Sequence, residues 1–203
     1  RMKKIIIAGF GQPVIDLYSG LKQNFEIVGI VLDYQRRERF PYFYEFLEKE
    51  NIPLLTFESI ADIQKDAVVV INYNKIIDCS QNNIPYLLNI HMGLLPVYRG
   101  NNANSLALLN GEKKVGYTLH EVSEVLDGGA IYYKFEYEIK ENDILYSGIS
   151  VKGVDKSSFK KLDINLAKDK NNIYYRGKNL KNLDLETFKV VSWYEPVPHP
   201  VWG

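Results

Sequence analysis

Short apolar runs alternate with segments of helical hydrophobic spacing through the first half of the chain. Residues 4–8 form a β-branched run that ends at a glycine loop, residues 9–11, and residues 14–21 then carry apolar side chains at helical spacing. The alternation continues with a helical segment at 43–47 and apolar runs at 27–32, 53–55 and 68–71. Strands that alternate with helices are typical of a parallel sheet covered on both faces. We therefore predict an α/β fold with a Rossmann-like, mostly parallel sheet and flanking helices.

The second half of the chain is predicted to turn partly antiparallel. Residues 87–91 form another apolar strand, and residues 103–109 form a helix. Residues 115–121 and 130–138 are then predicted to form two strands in which apolar and polar side chains alternate. A loop that ends in Asp127-Gly128-Gly129 joins them. Such a pair of alternating strands is typical of an antiparallel arrangement.

Beyond residue 142 the hydrophobic pattern weakens. Residues 143–168 are predicted to be mixed and largely helical, and residues 173–179 to form a hairpin around Gly177. A chain of 203 residues can bury one main core and a small addition. We therefore expect a core domain over residues 1–142 and a small extension of helix and hairpin over residues 143–203.

The composition excludes several kinds of protein. Lysine plus arginine number 25 and aspartate plus glutamate also 25, which leaves no overall positive field to attract nucleic acid. The single cysteine, Cys79, fits a reducing cytoplasm, and the three histidines lack the spacing of metal ligands. The apolar stretch at residues 5–8 is too short for a membrane span or a signal peptide. We expect a cytoplasmic protein that acts on a small ligand, without a metal, nucleic acid or membrane.

The loop at Gly9 and Gly11 permits a second interpretation. It follows a strand and precedes a helix, and Asp33 ends the next strand, as in a dinucleotide-binding fingerprint. However, Val14 occupies the third glycine position, and Pro13 removes a backbone N–H from the turn. A strand-to-helix turn at the mouth of a substrate cleft is favoured, and a non-catalytic dinucleotide-binding module is the alternative.

Two polar side chains stand at the end of the apolar strand at 87–91. Asn89 and His91 are two residues apart, so strand alternation sends them to the same face. The carboxyl ends of parallel strands are where α/β sheets usually open an active site. This pair is therefore the first candidate for catalysis.

Three separated motifs resemble the N10-formyltetrahydrofolate-dependent formyltransferases. Asn-x-His is followed by Leu-Leu-Pro at 94–96 and Arg-Gly at 99–100, which resembles the signature of that family. Residues 116–120 resemble its Gly-x-Thr-x-His element, and residues 127–129 resemble its Asp-x-Gly element. The resemblance covers about residues 4–138. It implies the family's catalytic trio at Asn89, His91 and Asp127.

The chemistry of formyl transfer explains why an asparagine, a histidine and an aspartate are needed at the site. An amine attacks a formamide-like carbonyl, so negative charge grows on oxygen and positive charge on nitrogen. Asn89 can donate an amide N–H to that oxygen. His91 can take a proton or present an imidazolium, and Asp127 can orient His91 and stabilise its charged form. His120, in the Gly-x-Thr-x-His element, is expected to support the site rather than to react.

The resemblance also implies where the two substrates bind. The pterin of N10-formyltetrahydrofolate, a co-substrate, is expected in an apolar slot whose main chain bonds its polar edge. The residues assigned to this slot are Asn74, Lys75, Ile76, Ile77, Leu87, Ser123, Val125 and Leu126. The residues assigned to the acceptor are Gly11, Tyr73, Met92, Gly93, Arg99, Asn101 and Asn102.

The expected acceptor is the amine of a dTDP-linked aminosugar, a 4-amino or 3-amino dideoxysugar of the kind used in O-antigen biosynthesis. Formyltransferases that act on methionyl-tRNA add a basic C-terminal domain, for which this chain has neither length nor charge. Glycinamide ribonucleotide enzymes carry a phosphate-binding turn after the first strand, from which residues 11–13 depart. Phosphoribosylglycinamide formyltransferase and formyltetrahydrofolate hydrolase are the alternatives.

The C-terminal hairpin resembles one with which sugar N-formyltransferases dimerise. We therefore expect a homodimer with contacts at Tyr174 and Tyr175. Aromatic side chains further on, Trp193 and Tyr194, are candidates for stacking on a nucleotide base.

Overall fold

The computed structural model divides the chain into two compact units, Arg1–Glu138 and Ile139–Gly203. Asp33, Trp193 and Tyr194 lie outside the residues that the structure describes. Those described residues are 1–32, 40–79, 83–139, 145–146, 149–162, 166–175, 177–180, 183–186 and 188.

A seven-stranded sheet forms the centre of the first unit. Its strands are β1 (Lys4–Gly9), β2 (Glu26–Val31), β3 (Leu54–Leu55), β4 (Ala67–Ile71), β5 (Leu87–His91), β6 (Lys114–Glu121) and β7 (Ile131–Glu138). They are ordered β3-β2-β1-β4-β5-β6-β7. Strands β1 to β5 pair in parallel, whereas β5 with β6 and β6 with β7 pair antiparallel. The predicted α/β fold, with its late change to antiparallel pairing, is confirmed.

The helices of the first unit are α1 (Gln12–Leu21), α2 (Pro41–Lys49) and α3 (Ala103–Leu109). Pro13 lies in the first turn of α1, where its missing N–H breaks no helical hydrogen bond. Pro41 begins α2 in the same way. Among the described residues, no helix has the length and apolar character needed to cross a bilayer.

The alternating side chains of β1 explain why the sheet is covered on both faces. Ile5 and Ile7 pack with Phe43 of α2 in one core cluster. Ile6 and Ala8 face the opposite way and pack in a second cluster. Burying one such aliphatic side chain is worth about 1.5–3 kcal/mol, so a strand that is apolar at every position is stable only between two covering layers.

The second unit consists of short antiparallel strands. They are β8 (Leu145–Tyr146), β9 (Ile149–Ser150), β10 (Lys160–Lys161), β11 (Leu166–Lys168), β12 (Ile173–Tyr175) and β13 (Lys178–Leu180). The hairpin around Gly177 is confirmed, because β12 pairs with β13 and Gly177 has a φ of 73°. The helical prediction for residues 143–168 is wrong for the part described. Asp155 accepts the backbone N–H of Ser157 there, and such local bonds compete with a helix.

Tyr174 belongs to the interior of the second unit. It is 2% exposed, and its hydroxyl donates to Asp169 Oδ2 at 2.7 Å. Asp169 also accepts the backbone N–H of Asp155 at 2.7 Å. The expectation that Tyr174 contacts a second copy of the chain is therefore wrong, because the ring is already packed within its own unit. Only Tyr175 of the pair is exposed.

Candidate active site

Strands β5 and β6 bring three polar side chains to one place. Asn89 and His91 share a face of β5, as their spacing predicts, and His91 is buried. In the antiparallel register His120 of β6 lies opposite Asn89, and Thr118 lies opposite His91. Directly opposed residues have neighbouring side chains, so the pairing itself places His120 beside Asn89.

Asp127 reaches this cluster from the loop between β6 and β7. Its φ is 48°, in the left-handed region that aspartate tolerates better than most residues. Gly129 follows where the chain passes close to β6, and a Cβ there would lie 2.0 Å from the carbonyl oxygen of Glu121. The Asp-Gly-Gly sequence is thus required by the tight path that turns the carboxylate inward.

The Asp127 carboxylate lies at the centre of the site. Oδ2 accepts the backbone N–H of Gly100 at 2.7 Å and lies 3.4 Å from His91 Nδ1. Oδ1 accepts from Asn89 Nδ2 at 3.4 Å and lies 3.5 Å from His120 Nε2. The structure thus brings together Asn89, His91 and Asp127, and it adds His120 and the main chain of Gly100.

The bonds of His120 determine which way the Asn89 amide points. His120 Nδ1 lies 2.7 Å from the carbonyl oxygen of Glu121, which can only accept, so Nδ1 carries the proton. In the neutral ring Nε2 then accepts from Asn89 Nδ2 at 3.0 Å. The two amide hydrogens of Asn89 thus face His120 and Asp127. A donor role toward a substrate oxygen requires that Asn89 release one of them.

His91 is held at both ring nitrogens. Nε2 donates to the carbonyl oxygen of Tyr98 at 2.6 Å, and Nδ1 faces Asp127 Oδ2. Each ring nitrogen thus faces an oxygen acceptor. Gly93 makes room for this ring, since a Cβ on Gly93 would lie 2.7 Å from His91 Nε2 and 2.5 Å from Ala103 Cβ.

Two buried polar residues that were not assigned to the site, Thr118 and Asn104, form hydrogen bonds that hold the segments next to it. Thr118 Oγ1 donates to the carbonyl oxygen of Gly93 at 2.7 Å and accepts the N–H of Leu95 at 3.1 Å. Asn104 of α3 bonds both the carbonyl oxygen and the N–H of Gly116, at 3.0 and 3.2 Å. The signal for Asn104 was its position on the buried face of α3, beside Ala103 and Ala107.

The segments assigned to the pterin present exposed apolar side chains. Ile76 is 97% exposed and Leu126 is 68% exposed, and Val125 is also exposed. Ile77 packs against the core cluster that contains Leu87, which is buried. Asn74 and Lys75 are exposed, and the Ser123 hydroxyl donates to the carbonyl oxygen of Val125 at 3.0 Å. Apolar side chains exposed on two segments fit the walls of a slot for a flat aromatic ligand.

The residues assigned to the acceptor follow adjacent strands. Gly11 and Tyr73 come after β1 and β4, and Met92 directly follows β5. Tyr73 is half-buried, with its ring 5.6 Å from that of Phe57. The exposed members of the set are Arg99, Asn101 and Asn102.

Cys79 is poorly suited to be a nucleophile. Burial raises the pKa of its thiol, and the nearby carboxylates of Asp78 and Glu124 raise it further, which disfavours the reactive thiolate. Within the described part of the chain, no group of three or more histidine, cysteine and acidic side chains is placed to hold a metal ion.

The fold and the cluster together define the class of α/β enzymes that carry asparagine and histidine at the carboxyl end of a central strand, with an aspartate brought to them by a later loop. The chain belongs to the formyl transferase family, which matches residues 20–147, more than half of its length.

Two curated relatives illustrate the range of that family. The chain is 27% identical over 186 residues to the methionyl-tRNA formyltransferase of Mesoplasma florum, covering 83% of this chain and 59% of the relative. It is 24% identical over 157 residues to the GDP-perosamine N-formyltransferase of Brucella melitensis, covering 71% of this chain and 60% of the relative. The chain therefore spans less than two thirds of the length of these relatives.

Solved structures share the fold. Glycinamide ribonucleotide transformylase 1 from Symbiobacterium toebii has a TM-score of 0.61 at 21% identity, covering 70% of this chain and 76% of that one. WlaRD, a sugar 3N-formyl transferase solved with dTDP and 5-N-formyl-THF, has a TM-score of 0.60 at 23% identity, covering 68% of this chain and 53% of that one.

Proposed function

We propose that the chain transfers a formyl group from N10-formyltetrahydrofolate to the amino group of a dTDP-linked aminosugar, a 4-amino or 3-amino dideoxysugar. The observation that carries the proposal is the Asp127 carboxylate, which lies within 3.5 Å of polar atoms of Asn89, His91 and His120. Membership of the formyl transferase family supports the reaction class.

The reaction transfers one formyl group to the acceptor nitrogen and one proton to N10 of the folate. A bond forms between the acceptor nitrogen and the formyl carbon, the bond from that carbon to N10 of the folate breaks, the acceptor nitrogen loses a proton and N10 gains one. His91 is the proton carrier, since Asp127 stabilises the charged ring at Nδ1 and leaves Nε2 for the reacting groups. Nε2 donates to the carbonyl oxygen of Tyr98, so this hydrogen bond must break when the substrates bind.

The developing charge on the formyl oxygen needs a partner as well. Asn89 stands beside His91 on β5, and its amide is fixed by contacts to His120 and Asp127. To donate to the formyl oxygen Asn89 must release one of these contacts, and the contact that it keeps then holds the amide in place, which limits further reorganisation during the reaction. Asn89 therefore supplies an oriented amide, and Asp127 the negative charge that balances a protonated His91.

The folate and acceptor assignments rest on different supports. The exposed Ile76, Val125 and Leu126 offer apolar surface for a pterin. Names of relatives support a nucleotide-linked sugar: one is a GDP-perosamine N-formyltransferase, and one sugar 3N-formyl transferase was solved with dTDP. The balanced charge of the chain disfavours tRNA.

A second candidate is phosphoribosylglycinamide formyltransferase. It is supported by the likeness in fold to the Symbiobacterium glycinamide ribonucleotide transformylase 1, with a TM-score of 0.61. The turn at Gly11 and Pro13 counts against it, because Pro13 offers no N–H to a phosphate.

One assay separates these candidates. The protein is incubated with N10-formyltetrahydrofolate and, separately, with dTDP-aminosugars, a GDP-aminosugar and glycinamide ribonucleotide; tetrahydrofolate release and acceptor mass are followed. We expect one dTDP-aminosugar to gain one formyl group, and the His91→Asn variant to lose this activity. If only glycinamide ribonucleotide or only the GDP-aminosugar is formylated, that compound is the acceptor and the dTDP assignment is wrong. Folate turnover with unchanged acceptors would indicate a hydrolase, and no turnover at all would refute the proposal.

A further inference from the structure

Strand β7 exposes large apolar side chains on both of its faces. Tyr133 and Phe135, on one side of the pleat, are 64% and 53% exposed, and Ile131 and Tyr132 are exposed as well. Among the strands that the structure describes, β7 is the last of its sheet, so its outer edge has no strand beside it. An open, aromatic-rich edge strand is a template for pairing with another strand.

The charges on β7 are self-complementary. Lys134 and Glu136 flank Phe135, and both are exposed. If two copies of β7 pair antiparallel about Phe135, Lys134 of each copy lies directly opposite the partner's Glu136. Opposite charges that face each other across strands stabilise a pair by roughly 0.2–1 kcal/mol, and like charges destabilise it.

Neighbouring registers are less complementary. A pairing centred on Lys134 puts two lysines opposite each other. A pairing centred on Glu136 sets Lys134 against the partner's Glu138 but puts two glutamates opposite each other. A pairing centred on Tyr137 sets Glu136 against the partner's Glu138. Centring on Tyr133 leaves Lys134 against the partner's Tyr132 and unpaired in charge. Among these registers, only the one about Phe135 forms two opposite-charge pairs within β7 and sets no like charges opposite each other.

We propose that β7 is a homodimer interface, in which a second copy of this chain adds its own β7 antiparallel in the register centred on Phe135. The contact is isologous, because one two-fold axis relates both strands. Tyr133 then packs beside the partner's Tyr137, and Phe135 beside the partner's Phe135. Lys114 lies 3.4 Å from Glu136 within the chain, but both side chains are about half exposed, and such a bridge is weak.

A charge exchange tests this interface. Sedimentation equilibrium over a wide range of protein concentration should show a dimer for the unaltered chain. Lys134→Glu and Glu136→Lys should each weaken dimerisation at least tenfold, because each sets like charges opposite each other twice. The double variant, Lys134→Glu with Glu136→Lys, should recover most of the affinity. Lys160→Glu, the same charge reversal on exposed β10, should leave it unchanged.

Each contrary outcome is distinct. An unaltered chain that stays monomeric, single variants that dimerise normally, or a double variant as weak as the singles would each overturn the proposal. A monomer in which the outward-pointing β7 amides, those not bonded to β6, resist hydrogen exchange would also overturn it, because another part of the same chain would then cover the outer edge. Thermal unfolding, measured at protein concentrations low enough for every chain to be monomeric, should be the same for the variants and the unaltered chain. None of these measurements depends on the proposed formyl transfer.

Discussion

The polar cluster around Asp127 and the segments assigned to the pterin, here called the polar wall and the apolar wall of the candidate site, differ in how their side chains are held. Around Asp127 the polar side chains are buried or half-buried, and each bonds another residue of the cluster. In the segments assigned to the pterin, Ile76, Val125 and Leu126 are exposed and their apolar surface faces solvent. The polar wall is complete without a ligand, and under the proposed function we expect the apolar wall to gain its burial only when a ligand is bound.

The difference in burial predicts which kinetic constant a substitution in each wall should change. A prearranged polar cluster stabilises charge in the transition state, so damage to it should lower kcat with little change in KM. An exposed apolar wall contributes to the bound state and the transition state alike, so damage to it should raise KM and leave kcat. The two walls can therefore be told apart by kinetics.

Removing the central charge should have the largest effect. Asp127→Asn keeps the shape of the side chain and an oxygen for the N–H of Gly100, but it removes the negative charge beside His91. We expect kcat to fall about a hundredfold or more, with KM for both substrates changed by less than about threefold. Steady-state kinetics of the purified variant measures both.

The matched control is Asp62→Asn, at an exposed aspartate of the same unit. It should leave kcat unchanged. A near-normal kcat for Asp127→Asn would remove the carboxylate from the chemistry and contradict the division between the two walls.

Loss of the His120 contact should have an intermediate effect. His120→Leu keeps the position apolar and filled but leaves the amide of Asn89 without its acceptor at Nε2. We expect kcat to fall about tenfold, which corresponds to the loss of one buried hydrogen bond. His120→Gln retains an acceptor oxygen and should recover part of kcat.

Recovery of kcat in His120→Gln would show that His120 acts by orienting the amide of Asn89 and does not serve only to stabilise the fold. Thermal unfolding should be measured for both variants. If the Leu and Gln variants lose kcat equally while unfolding at the same temperature, His120 does not act through Asn89.

Much of this division could be predicted from the sequence, and the reasons are local. Strand β5 and helix α3 were predicted with the bounds found, because each has one clear periodicity. The shared face of Asn89 and His91 follows from strand alternation alone. Asp127 lies 36 residues beyond His91 in the chain, and it was assigned only through the resemblance to a family.

Other features depend on contacts that local pattern does not carry. The bond from Thr118 to the carbonyl oxygen of Gly93 depends on how β6 lies against the following loop. Tyr174 was assigned to a dimer contact, but its hydroxyl satisfies buried Asp169. The helical prediction for residues 143–168 failed because the short strands there are stabilised by pairing with one another, which leaves no clear hydrophobic periodicity in the sequence.

The smallest effect is expected at the apolar wall. Leu126→Ser replaces an exposed apolar side chain by a small polar one, so it should not disturb the fold. Partial burial of such a side chain against a ligand is worth about 1 kcal/mol, at about 0.8 kcal/mol for each buried CH₂. We expect KM for N10-formyltetrahydrofolate to rise about fivefold while kcat stays within about twofold. Leu109→Ser, at an exposed leucine that ends α3, is the matched control and should change neither. An unchanged folate KM in Leu126→Ser would remove this segment from the pterin slot, whereas a large fall in kcat would mean that both walls take part in the chemistry.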